Sequence, residues 1–150
     1  MKLKHGDKRV VVTGYGAVTP LGVTADESWQ AIVNYQLGYR YVDYTAQNIK
    51  THFLGLVDNE PSLVGVPAAV RRRLPRFARL TFGAARQAMA MAFGDQPPQE
   101  FYSPLDCGAI MGTGWGGLDE SYDAQRDFSA TGFASPFNCF YSMPSVTTAA

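Results

Sequence analysis

Arg9-Val10-Val11-Val12-Thr13-Gly14-Tyr15-Gly16-Ala17-Val18-Thr19-Pro20-Leu21-Gly22 joins a β-branched run to a Gly-x-Gly turn and a Thr-Pro-Leu-Gly loop. The run lacks the polar alternation of a strand with one wet face, so residues 9–13 are expected to open a sheet covered on both sides. The following glycines and proline are turn chemistry. A strand of this kind belongs to a layered α/β fold, and nothing in it is catalytic by itself.

Downstream, the pattern alternates. Thr24 and Glu27 stand at capping-box spacing, and Trp29, Ile32 and Val33 recur at helical intervals up to Leu37-Gly38. A helix over 25–36 follows. Phe53-Leu54-Gly55-Leu56-Val57 reads as a short second strand, with Asp58-Asn59-Glu60-Pro61 as its turn. From Pro75, a residue suited to the first helical position, Phe77, Leu80, Thr81, Ala84 and Ala88 share one helical face and Arg76, Arg79 and Arg86 the other. Residues 95–104 contain three prolines and read as a surface loop without regular structure. A second buried strand is expected over 107–111. This order predicts right-handed crossovers and a mostly parallel sheet with packed helices.

The totals narrow the possibilities. A chain of 150 residues with 46% hydrophobic content can fill the core of one α/β domain. Thirteen basic residues balance thirteen acidic ones, which argues against general attraction to nucleic acid or a membrane surface. Apolar stretches stop well short of the ~20 residues of a membrane span. Cys107 and Cys139 lack metal-site spacing and follow no secretory h-region, so free thiols in a reducing, cytoplasmic setting are expected.

Two segments invite a chemical reading. Gly112-Thr113-Gly114-Trp115-Gly116-Gly117 matches Gly-x-Gly-x-x-Gly after an expected strand, the context of a dinucleotide-binding turn. Trp115 would stand where the backbone must approach a pyrophosphate, and no acidic residue ends a strand ~20 residues later to hold a ribose. Glycines that merely permit a tight, closely packed turn are the better reading, with a Rossmann-like nucleotide-binding domain as the rival. Val70-Arg71-Arg72-Arg73-Leu74-Pro75-Arg76 is the one dense basic segment. Arginines at a helix N-terminus oppose the macrodipole, so helix stability does not account for them. The choice is between a recognition patch and a solvated face.

The opening stretch, Gly108 to Leu118, Trp29, Gln36-x-Gly38, residues 53–57, Arg76-Phe77 with residues 85–89, and Ser135-Pro136-Phe137 together resemble the β-ketoacyl-acyl-carrier-protein synthases, specifically their elongating, type II-like branch. The landmarks occur in the family's order over nearly the whole chain. The resemblance implies that residues 1–150 are the N-terminal, incomplete region of a thiolase-like fold, in an enzyme that condenses an acyl thioester with malonyl carrier protein. Such an enzyme is a homodimer without metal or organic cofactor. Trp115 takes the place of the large residue at the acyl-pocket floor, Phe137 and Asn138 match a stretch that a neighbouring subunit contributes to its wall, and Arg71, Arg72, Arg73 and Arg76 match the basic helix start that receives acyl carrier protein. The family's second basic cluster is missing, since Gly132-Phe133-Ala134 is uncharged.

The resemblance also implies that the nucleophilic cysteine and both catalytic histidines fall beyond Ala150, leaving no catalytic residue in this chain. His5 and His52 match neither family position and read as a terminal and a strand-edge polar residue. Cys107 and Cys139 read as structural thiols. A rival from another class is a non-catalytic partner resembling the chain-length-factor subunits.

Overall fold

The structure, a computed structural model, describes residues 10–72 and 74–149. Its organising element is helix α3 (Arg76–Phe93). Pro75 is its N-cap rather than its first residue. Small residues on α3 let the opening loop press against it. A Cβ built on Gly14 would stand 2.0 Å from the Ala88 carbonyl oxygen, and one on Gly16 would stand 2.1 Å from that of Ala84. Both are far inside contact distance, so the Gly-x-Gly turn exists here for close backbone approach.

Gln87, on the same helix, secures that loop. Its Oε1 accepts from the N–H groups of Ala17 (3.3 Å) and Ala25 (3.0 Å), while Nε2 donates to the carbonyls of Ala17 (3.1 Å) and Val23 (2.8 Å). One amide thus meets four backbone groups.

Helix α1 (Ala25–Val33) starts as its sequence predicts. Glu27 N–H donates to Thr24 Oγ1 at 3.1 Å, and Glu27 Oε2 accepts from Val23 N–H at 2.8 Å and Thr24 N–H at 3.3 Å. The helix ends three residues before Gln36, with Asn34 as C-cap. The chain then makes a hairpin of β1 (Arg40–Tyr41) and β2 (Phe53–Leu54). Pairing is antiparallel, with Arg40 opposite Leu54 and Tyr41 opposite Phe53.

This hairpin is the only named sheet among the described residues, which therefore do not show the expected mostly parallel sheet. Val10, Val11 and Val12 are 97%, 69% and 85% exposed and join no ladder, and Ile110 is 98% exposed in the equally unpaired 107–111 stretch. A strand exists only through its neighbours; apolar β-branched composition supplies the propensity without the partner. The second strand is likewise shorter than 53–57. Within 95–104, expected to be irregular, Pro98–Glu100 forms a 3₁₀ turn, and another follows at Pro104–Asp106, each started by its proline.

Helix α2 (Ala68–Arg71) precedes α3; α4 (Leu118–Thr131), α5 (Phe137–Tyr141) and α6 (Val146–Ala149) follow it. Helix α6 packs on α3, and α4 on α5. The small core sits there, with Leu74, Ala78 and Val146 buried and Val70 and Phe77 packed against them.

Candidate functional site

The glycine-rich turn closes onto the first turn of α3. Thr113 Oγ1 accepts from Gly116 N–H at 2.8 Å, and Leu118 N–H donates to the Trp115 carbonyl at 3.1 Å. Gly117 is the N-cap of α4 at φ +85°, and a Cβ there would lie 2.1 Å from the Ser142 carbonyl oxygen, so this position requires glycine twice over. A Cβ on Gly116 would stand 2.8 Å from the Phe77 ring. The resulting groove, about 380 Å³, is lined by Arg76, Phe77, Leu80, Thr113, Trp115, Gly116, Gly117, Leu118 and Asp119. It combines an apolar floor with a guanidinium. Trp115 is 81% exposed, so within the described residues it does not fill a core void. Phe137 and Asn138, on α5, are not part of the lining. Phe137 stacks on Tyr141, with ring centroids 6.4 Å apart.

The arginines divide into two groups. Arg71 ends α2 and Arg72 is its C-cap, its Nε donating back to the Ala68 carbonyl at 3.2 Å. Positive charge is favourable at a helix C-terminus, so the expectation that helix stability does not account for this run is corrected for these two residues. Both are exposed. Arg76, at the start of α3, is tied instead to residues 57–60. Its Nη2 donates to the Val57 carbonyl, and its Nε lies 3.8 Å from Glu60 Oε1. Arg79, one turn along, donates from Nη2 to the same Glu60 oxygen at 2.9 Å. Arg73 lies outside the described residues.

Beside this cluster Asp58 takes both Nη groups of Arg40, one at 2.7 Å. The Arg40 hydrogen bonds hold the Asp58 carboxyl below the usual carboxylate range; partial burial opposes this, and the charges of Arg40 and Arg76 reinforce it. The sequence reads 58–61 as a plain turn after a strand ending at Val57, although its two carboxylates, two residues apart, are the available signal.

No nucleophile and base come together among the described residues. Cys107 is a free, exposed thiol, which corrects its expected burial at a strand start. The side chain of Cys139 and all of His5 lie outside what the structure describes. His52 stands one residue before β2, its carbonyl accepting from Val42 N–H at 2.7 Å, and its ring stacks on Tyr41 with centroids 5.3 Å apart. No described cluster of three or more His, Cys, Asp or Glu is placed to hold a metal ion, and no described helix is long and apolar enough to cross a membrane.

A β-branched opening that runs into a glycine turn, glycines that close a second turn onto a helix, and an aromatic on an apolar groove agree with one family's sequence. The family model "Beta-ketoacyl synthase, N-terminal domain" matches residues 7–149, and the chain belongs to that family, whose fold is thiolase-like. Within it the chain is a type II-like N-terminal segment. It is 32% identical over 113 residues to a 3-oxoacyl-[acyl-carrier-protein] synthase 2 of Vibrio harveyi, covering 75% of this chain and 26% of the relative. Its identity to a 3-oxoacyl-[acyl-carrier-protein] synthase 2 of Synechocystis sp. is 30% over 122 residues, covering 79% and 28%. A Streptomyces halstedii protein named as a polyketide beta-ketoacyl synthase is 28% identical over 111 residues, covering 73% and 26%. The chain spans about a quarter of the length of these relatives.

Proposed function

We propose that this chain is the N-terminal segment of a 3-oxoacyl-[acyl-carrier-protein] synthase that extends an acyl group by decarboxylative Claisen condensation with a malonyl carrier thioester. The match over residues 7–149 carries this reading. In that chemistry a cysteine thiolate takes the acyl group and releases the donor thiol, malonyl loses CO2, and the resulting carbanion attacks the acyl carbonyl and expels the cysteine thiolate, while histidines assist decarboxylation and stabilise the enolate oxygen. None of those three groups is assigned to this segment. Its part is to form the acyl pocket and the carrier-facing surface of a cytoplasmic homodimer that needs no metal or organic cofactor.

The groove supports that division of labour. Trp115 and the apolar side chains of Phe77, Leu80 and Leu118 suit an alkyl chain, and the family resemblance adds Phe137 and Asn138 of the neighbouring subunit as further wall. Arg71, Arg72, Arg73 and Arg76 suit the acidic surface and phosphopantetheine of a carrier. In the complete pocket, where the indole would be packed, displacing it costs contacts that each buried methylene repays by only about 0.8 kcal/mol, so short or unusual acyl primers are favoured.

The test is acyl loading and condensation by the full-length protein with acyl and malonyl carrier proteins across chain lengths, for the parent and Trp115→Ala. β-Ketoacyl product from the parent, none from the isolated 150-residue chain, and a gain in the variant confined to longer acyl chains are expected. Cysteine-dependent turnover by the isolated chain would overturn the assignment of roles, and an equal loss at every length would reduce Trp115 to a structural residue.

A further inference from the structure

Glu60 and Asp58 stand where an acidic partner would compete for the same cations. Glu60 Oε1 lies 2.9 Å from Arg79 Nη2 and 3.8 Å from Arg76 Nε, and the Val57 carbonyl occupies another face of the Arg76 guanidinium. Two oxygen-bearing groups of one turn, the Val57 carbonyl and the Glu60 carboxylate, therefore face the start of α3, while the Asp58 carboxylate between them is taken by Arg40. Arg71 and Arg72 have no carboxylate partner among the described residues and remain exposed.

We propose that residues 57–60 form a built-in counter-anion that sets how strongly the arginine surface at the start of α3 holds an acidic protein partner. The inference rests on the carrier-docking reading above and extends it, dividing the surface into cations open to the partner and cations masked from within. Glu60 is 40% exposed and Arg79 32%, so the mask is a partly solvated ion pair that a partner can displace at modest cost. Removing its charge leaves the charges of the arginines and raises the local net charge by one unit.

The experiment measures binding of purified acyl carrier protein to the full-length protein at several ionic strengths, for the parent, Glu60→Gln and the pair Arg71→Ala with Arg72→Ala, with thermal unfolding followed for each. Glu60→Gln is expected to tighten binding about two- to fivefold at low salt and to steepen its salt dependence, while the arginine pair weakens both. Carrier binding that Glu60→Gln leaves unchanged in strength and salt slope overturns the counter-anion while the docking reading stands. No binding by either protein overturns both. Where Glu60→Gln fails to fold, Asp58→Asn removes the other carboxylate of this turn, whose charge also acts on Arg76, and the same sign is expected although the cation it releases is Arg40.

Discussion

Gln87 shows how much of this molecule is settled by a single side chain. In sequence it is one polar residue in a helix, yet its amide meets backbone groups of residues 62 to 70 positions away. Gln87→Ala leaves four backbone groups without this partner in a partly buried seam, and a loss of about 2–4 kcal/mol is expected. Gln87→Glu keeps the shape but turns an acceptor toward the Ala17 and Val23 carbonyls, so it should not rescue stability. Chemical unfolding of the full-length protein, with hydrogen exchange at Ala17 and Ala25, checks both; wild-type stability in Gln87→Ala would show that the loop is held by packing alone. Helical periodicity could not reveal this role because the partners are remote. Gly14 and Gly16 were legible as a turn, but their reason, carbonyl oxygens of α3 inside contact distance, required the packed helix.

Among the elements, those closed by local interactions follow the sequence most faithfully. The Thr24–Glu27 box starts α1 from groups three residues apart, and α3 follows its apolar spacing. The basic run is instructive in the other direction: Arg71 and Arg72 stand at the end of α2 and Arg76 at the start of α3, which reverses the electrostatic argument for the first two. The β1–β2 hairpin is tied to the 57–60 turn by Arg40 and Asp58. Because the Asp58 carboxyl is held below its ordinary value, the pair's contribution is complete above the unfolded carboxylate pKa of about 3.9 and is lost as pH falls through the depressed folded value. A carboxyl-carbon NMR titration should therefore give Asp58 a midpoint below that of an unpaired aspartate, moving up in Arg40→Gln. An unshifted midpoint would mean that the pair does not persist in solution.

At the scale of the whole molecule, accessible surface is the telling quantity. The chain exposes 12028 Å², whereas a compact monomer of 16.4 kDa exposes roughly 7,500 Å². The excess includes Val10, Val11, Val12, Leu105, Ile110 and Trp115, and unpaired apolar strand-formers are templates for association. The isolated 150-residue chain is expected to self-associate in light scattering, less so when Val11→Lys and Ile110→Lys are combined; a monodisperse parent monomer with a cooperative melt would contradict this. The sequence by itself determined α1 with its capping box, the existence of α3, the glycine turn and the family, because each is encoded in residues a few positions apart or in an ordered series of motifs. Only the tertiary structure decided the antiparallel hairpin, the clamp by Gln87, the meeting of Trp115 with Phe77 and Arg76, and the pairing of Glu60 with two arginines. Those depend on distances between segments remote in the chain, and neither propensity nor periodicity carries that information.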